Sequence, residues 1–119
     1  MSTQVAPVQI VTVNPSAETP KKVLEVVTED YKDQYNLVHA GNYEGIEGLK
    51  VYLLSLEPAP QLLFSSNHWT VEQQGEIQVI AKEAVPGIKI AGIPHNLDAQ
   101  GVVNFVKAQL VEQGIPRRT

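Results

Sequence analysis

The fold is decided by the stretch Val8-Gln9-Ile10-Val11-Thr12-Val13-Asn14-Pro15-Ser16-Ala17-Glu18-Thr19-Pro20, which joins a strand pattern directly to a helix start. Residues 8–13 are rich in β-branched side chains and stop at Asn14-Pro15, which predicts a first strand over 8–13. Thr19-Pro20 has the form of a helix N-cap followed by proline at the first helical position. A strand that leads within a few residues into a helix is the first half of a βαβ unit.

Strand and helix patterns alternate over the rest of the chain. Apolar residues at helical spacing predict a first helix that ends near Asp33. The segment 50–56 is short and apolar, so it fits either a strand or a short helix. The remaining patterns predict a strand over 35–40, a loop over 42–48, a strand over 61–66, a helix that stops at Pro86-Gly87, a strand over 88–93 and a last helix that ends at Gly114.

The order of these elements indicates the fold class. Thr70 and Gln73 form a capping box before the third helix, and Asp98 caps the last one. Alternating strands and helices imply a parallel sheet covered by helices on both faces. We therefore expect an α/β, Rossmann-like fold with a single doubly wound, mostly parallel sheet of about four to five strands. The expected organisation is a flexible leader over 1–7, one domain over 8–116 and a tail over 117–119.

Composition limits the classes of protein to which the chain can belong. Its 13 acidic and 9 basic residues give a net charge of −4, whereas nucleic-acid binding requires clustered lysine and arginine. The absence of cysteine excludes a disulfide framework, a thiolate zinc site and a cysteine nucleophile. No apolar run approaches the roughly 18 residues of a membrane span, and residues 1–7 lack the layout of a signal peptide. We expect a cytoplasmic protein that binds neither nucleic acid nor membranes.

Candidate catalytic residues follow from the predicted strand ends. Ligands of doubly wound sheets bind beyond the carboxyl ends of the strands, and the three histidines of the chain, His39, His68 and His95, all lie at or just after these predicted strand ends. Histidine suits general acid–base chemistry near neutral pH. The same residues could form a three-histidine zinc site, but no H-x-H or H-E-x-x-H spacing supports one, so we expect no metal. Separate, solvent-facing histidines are the alternative.

Other motifs near these loops are weaker. Ser65 and Ser66 lie close to His68 without a G-x-S-x-G elbow, so we expect them to end the strand and satisfy backbone donors. The loop over 14–19 could hold an anion at the helix N-terminus, although the negative charge of Glu18 opposes it. Trp69 could stack on a ligand ring or fill the edge of the core.

Several segments together resemble one known family. Asn14-Pro15 after the first strand, the run Gly48-Leu49-Lys50-Val51-Tyr52-Leu53-Leu54-Ser55-Leu56 and the strand start Pro86-Gly87-Ile88-Lys89-Ile90 are similar to motifs of the CoA-binding Rossmann-like domain family. That family includes small stand-alone CoA-binding proteins and the N-terminal domain of the succinyl-CoA synthetase alpha subunit. The chain departs from it after strand one, where Val13-Asn14 stands in place of a glycine. The resemblance implies CoA or a related nucleotide as ligand, with contacts from Asn14, Pro15, Ser16, His39, Gly41, Asn42, Ser65, Ser66 and Asn67.

Three functions are compatible with these observations. The leading hypothesis is a small nucleotide- or CoA-type ligand-binding domain without clear catalytic machinery. The first alternative is a small enzyme that uses His39, His68 and His95 for acid–base or metal-assisted chemistry. The second is a protein-interaction module. An uncovered sheet edge invites pairing with another chain, so we also expect a homodimer.

Overall fold

Strands and helices alternate throughout the computed structural model, which describes residues 7–117. The elements are β1 (Val8–Val13), α1 (Glu18–Asp30), β2 (Leu37–Tyr43), α2 (Leu49–Ser55), β3 (Leu62–Ser65), α3 (Val71–Ala84), β4 (Lys89–Gly92) and α4 (Ala99–Glu112). The sheet has the strand order β2-β1-β3-β4, and every pairing is parallel. The prediction of a doubly wound α/β fold of the Rossmann-like kind is therefore confirmed. Most of the expected leader and tail lies outside the described residues.

Helices cover the sheet on both faces because β1 and β3 present apolar side chains to each side in turn. Val8 and Ile10 pack in one layer with side chains of α1 and α4, whereas Val11 and Val13 pack in the other with side chains of α2 and α3. The helix residues of the first layer are Leu24, Val27, Val103, Val106 and Leu110. Those of the second are Leu49, Leu53, Ile77, Ala81 and Ala84. This period-two alternation in the central strands assigns each helix pair to its face.

The strand order creates a crevice at one edge of the sheet. From β1 the chain crosses to β2 on one side and then returns to β3 on the other side of β1. The connections that follow β1 and β3 therefore leave in opposite directions, which makes the space between their carboxyl ends the topological switch point of the sheet. Asn14 follows β1 at this point, and Ser66 follows β3.

A bulge interrupts the second strand. Ile10 pairs with His39, but the next β1 residue, Val11, pairs with Gly41, so Ala40 is the extra residue. The bulge puts His39 and Asn42 on the same face of the sheet, which an unbroken strand would not do. The predicted bounds of this strand, 35–40, are wrong because the bulge allows it to run on past Ala40. The strand continues to Tyr43 through a Gly-Asn pair that the turn chemistry of these residues assigned to a loop.

Both predicted boundaries of α1 are wrong. Thr19 does not cap α1: the helix begins at Glu18, its N-cap is Ala17 without a side-chain hydrogen bond, and it ends at Asp30, short of Asp33.

The segment 50–56, which fitted either a strand or a helix, forms most of the helix α2. This helix follows Gly48, which has a left-handed conformation (φ 84°). The chain reverses there with a positive φ, which glycine adopts without strain.

Other boundary predictions are confirmed. Both hydrogen bonds of the capping box join Thr70 and Gln73, and the Asp98 side chain accepts from Gly101 N. Strand one has the predicted bounds, Val8–Val13. Gly114 ends α4 with φ 67°, as its position after the last apolar residues indicated.

The two outer strands leave the sheet open within the described part of the chain. β2 pairs only with β1, and β4 pairs only with β3. After α4, Ile115 is buried in the α1–α4 layer. Among residues 7–117 nothing pairs with the outer edge of β2 or β4, and a homodimer through either edge stays a prediction. No helix of this region has both the length and the apolar character needed to cross a bilayer.

Candidate functional site

A cleft opens at the switch point, between the N-terminal halves of α1 and α4, and we call it the switch-point cleft. Its apolar walls are Val23, Leu24, Phe64, Ile93, Val102 and Val106. Its polar side chains are Thr12, Asn14, Thr19, Ser66 and Asn67. The cavity volume is about 40 Å³, which is room for on the order of three water molecules. A group of a few heavy atoms fits inside, and a nucleobase does not.

Asn14 is one of the buried polar residues that line the cleft. It is 5% exposed, and its Oδ1 accepts a hydrogen bond from the backbone N–H of Ser16 at 2.9 Å. This bond fixes which end of the amide is the oxygen. The amide nitrogen Nδ2 has no hydrogen-bond partner among residues 7–117. Within the described residues every fully buried side-chain nitrogen or oxygen has a partner, so Nδ2 is reached by solvent through the cleft, where it can donate to an oxygen atom of a ligand.

A chain of hydrogen bonds supports Asn14 from the second strand. The Thr12 hydroxyl donates to Asn42 Oδ1 at 2.7 Å, so its oxygen accepts from His39 Nε2 at 2.9 Å. Asn42 Nδ2 in turn donates to the Asn14 carbonyl at 3.1 Å. Thr12 is 4% exposed, so removing any member would leave buried polar groups unpaired. These contacts hold the end of β1 against β2.

His39 supports this network from outside the cleft. Burial lowers the pKa of His39 below its usual value, and a hydrogen bond to the Gly41 carbonyl partly opposes the shift. The ring is therefore neutral at pH 7 and donates through Nε2 to Thr12. It lines a separate open groove between α1 and β2, together with Lys21, Glu25 and Glu29. The structure thus gives His39 a supporting contact and no place in the cleft.

Ser66, which lines the cleft, forms a close pair with His68, which does not line it. The Ser66 oxygen accepts the backbone N–H of His68 at 3.0 Å and lies 3.0 Å from His68 Nδ1. In the tautomer that carries the ring proton on Nε2, the Ser66 O–H donates to Nδ1. Ser66 is 2% exposed and His68 is exposed. The expectation that this serine satisfies a backbone donor is confirmed, and the contact with the imidazole adds to it.

The remaining aromatic and histidine side chains tie neighbouring loops together. His95 Nε2 donates to the Trp69 carbonyl at 2.7 Å, and Trp69 Nε1 donates to the Val13 carbonyl at 2.9 Å. Trp69 packs against the α2–α3 layer. The three histidines therefore have three separate partners. Over residues 7–117, no group of three or more histidine, cysteine, aspartate or glutamate side chains is arranged to hold a metal ion.

The cleft collects only part of the predicted site. Asn14, Ser66 and Asn67 line it, whereas Ser65 lines a different groove on the α3 side of the sheet. Pro15 and Ser16 are exposed in the turn beside the rim. His39, Gly41 and Asn42 lie on β2, behind Thr12.

Sequence reasoning missed Thr12 and the wall that α4 contributes. Thr12 carried a signal, because it is the polar member of the series that begins with the apolar residues Val8 and Ile10 on one face of β1. Val102 and Val106 had no such signal. Their place opposite α1 depends on the winding of the whole sheet.

Comparisons with known proteins identify no relative: no protein-family model matches the chain, and no curated protein or solved structure matches it. The functional argument therefore depends on the geometry of the cleft.

Proposed function

We propose that the protein is a small-molecule-binding module that takes a CoA-type ligand in the switch-point cleft. One observation carries the proposal: Asn14 is 5% exposed, lines the cleft and has an amide nitrogen without a partner among the described residues. Solvent reaches this nitrogen through the cleft, and an oxygen atom of a ligand can take over the hydrogen bond that the N–H groups otherwise make to water. The position also supports the proposal, since ligands of doubly wound sheets bind at the switch point.

The dimensions of the cleft restrict which part of the ligand enters it. With a cavity volume of about 40 Å³ and apolar walls, the cleft fits a short acyl or thiol end of a ligand, with its carbonyl or amide oxygen on Asn14 Nδ2. The larger, charged part of the ligand would stay outside the cleft. The Ser16 and Thr19 hydroxyls and the amides in the first turn of α1 are the groups nearest to receive phosphate oxygens there. Glu18 opposes a phosphate at this turn, so we expect modest affinity.

Thermal unfolding with and without ligand tests the proposal. A ligand at 100 times its dissociation constant adds about 2.7 kcal/mol to the free energy of unfolding, which is a shift on the order of 10 °C for a domain of this size. We expect CoA to raise the melting temperature, and ATP and zinc to have no comparable effect.

Paired variants locate the binding site. Asn14→Ala should lose the CoA shift, and Asn104→Ala should keep it, because Asn104 lies on the exposed side of α4, where it accepts a hydrogen bond from Gln100. If wild type shows no shift with CoA, or if Asn14→Ala and Asn104→Ala respond alike, the proposal is wrong. A shift with zinc alone would also contradict the proposal.

A further inference from the structure

We infer that Ser66 is a nucleophile, with His68 as its general base, in the hydrolysis of short-chain acyl esters or thioesters. The inference rests on the proposed function, because the acyl group would occupy the same switch-point cleft. It adds a reaction at a serine to a site proposed above only to bind.

The hydrogen bonds of Ser66 leave its oxygen ready to attack. One lone pair accepts the His68 backbone N–H at 3.0 Å, and His68 Nδ1 lies 3.0 Å from the oxygen, where the tautomer protonated on Nε2 accepts the hydroxyl proton. The second lone pair has no partner among the described residues, and the side chain lines the cleft. A serine whose proton points at a neutral imidazole nitrogen is the arrangement that activates hydroxyl nucleophiles.

The cleft itself limits the substrate class. Its cavity volume of about 40 Å³ holds a group of two to four heavy atoms, since on the order of three water molecules fill it. The apolar walls of the cleft are aliphatic or aromatic side chains. They favour the apolar end of an acetyl or propionyl group over a charged group. Longer acyl chains would have to separate α1 from α4.

Two amide side chains can stabilise the charge that forms on the carbonyl oxygen. Asn14 Nδ2 has no partner among residues 7–117, and Asn67 Nδ2 uses one of its two N–H groups on the Pro94 carbonyl at 3.2 Å. Both side chains line the cleft with Ser66. Ser66 N donates to the Val13 carbonyl at 2.9 Å, which ties the serine to the residue that precedes Asn14. Fixed donors beside a developing oxyanion are a large source of catalysis in acyl transfer.

The reaction balances with water as the only co-reactant. The Ser66 oxygen attacks the carbonyl carbon while its proton moves to His68 Nδ1. The carbon–oxygen or carbon–sulfur bond of the substrate then breaks, and the alcohol or thiol leaves with the proton from His68. Water attacks the acyl-serine, gives its proton to His68 Nδ1, and releases the carboxylic acid as the proton returns to Ser66.

Labelling of the wild-type protein tests the inference without any variant. The protein is treated with a fluorophosphonate, which reacts with activated serine hydroxyls, and the modified peptide is identified by mass spectrometry. We expect the label on Ser66. A label on other residues only, or no label, would overturn the inference.

Turnover by variants gives an independent result. Release of p-nitrophenol from p-nitrophenyl acetate, and of thiol from acetyl-CoA, should stop in Ser66→Ala and fall about 100-fold or more in His68→Ala. His68 is exposed, so the second variant is expected to fold even if the first does not. Ser55→Ala is the matched control with unchanged turnover, because Ser55 lies at the end of α2 and donates to the Tyr52 carbonyl. Wild-type turnover in His68→Ala would contradict the role of the base.

The two proposals fail in different ways. Stabilisation by CoA without a label on Ser66 leaves the binding function intact and overturns the nucleophile. A label on Ser66 without stabilisation by CoA supports the nucleophile and overturns CoA as the ligand class.

Discussion

His39 and Asn42 both hydrogen-bond to the hydroxyl of Thr12, although an unbroken strand would place them on opposite faces of the sheet. The extra residue Ala40 in the β2 bulge brings them to one face. Because Asn42 also donates to the Asn14 carbonyl, the bulge determines how the end of β1 is held. The edge strand thereby supports a cleft that it does not itself line.

Loss of the Thr12 hydroxyl should destabilise the protein. Thr12→Val keeps the β-branched shape but leaves His39 Nε2 and Asn42 Oδ1 without this partner, at a cost of about 1–3 kcal/mol in the free energy of unfolding. Urea unfolding, monitored by circular dichroism, measures this change in the free energy of unfolding. Thr28→Val on α1 is the control and should stay within about 0.5 kcal/mol of wild type. Equal effects in the two variants would contradict the role of Thr12.

Stability should depend on pH through His39. Burial lowers the pKa of this ring in the folded protein, so the unfolded chain takes up a proton first as the pH falls. The free energy of unfolding should therefore be level above the usual histidine pKa of 6.5 and decrease as the pH falls below it, towards the folded pKa.

A glutamine variant separates this effect from other titrations. His39→Gln keeps a donor for Thr12 but removes the titration, so its urea midpoint should fall less than that of wild type between about pH 7 and pH 5.5. The same loss of stability in both proteins would show that His39 is not responsible. Titration of the His39 ring protons by NMR gives the direction of the shift directly.

The same substitution at two glycines should have opposite effects. Gly114→Ala places a side chain at φ 67° and should cost about 1–2 kcal/mol, because a left-handed conformation strains any L-residue with a Cβ. Ile115 N bonds to the Leu110 carbonyl at 3.0 Å across this turn, so the turn cannot relax without losing a hydrogen bond. Gly75 lies inside α3, and no atom is within 4 Å of the Cβ that alanine would add. Gly75→Ala should therefore raise the free energy of unfolding by about 1 kcal/mol. Thermal unfolding of both variants is the measurement, and a shift of the same sign in both would contradict the conformations described.

Local chemistry explains which parts of the fold could be predicted. The bounds of β1 follow from a β-branched run that stops at Asn14-Pro15, and the start of α3 follows from Thr70 and Gln73. These signals act within a few residues, so the sequence carries them in full. The β2 bulge depends instead on contacts between distant residues, because it fits Asn42 against Thr12.

The candidate site, like the fold, could be predicted only in part. The rule that ligands bind at strand ends found Asn14, Ser66 and Asn67, which line the cleft. It also selected Ser65, because a rule about loops does not distinguish the two faces of a sheet, and His39, which lies on the face of the cleft but behind Thr12. Ser65 and Ser66 are neighbours in sequence and line different grooves, one on each side. The face of each strand end becomes known only when the register of the sheet is known.

The central claim is that the Asn14 amide receives a ligand in the switch-point cleft. A two-dimensional NMR spectrum of isotope-labelled protein resolves the side-chain NH₂ groups, and titration with CoA tests the claim directly. The account predicts that the Asn14 side-chain signals shift in a saturable manner together with the backbone signals of Thr19 and Val102, while the Asn104 side-chain signals stay in place. If saturating CoA leaves the Asn14 signals unmoved, or moves only signals far from the cleft, the proposed binding site is contradicted.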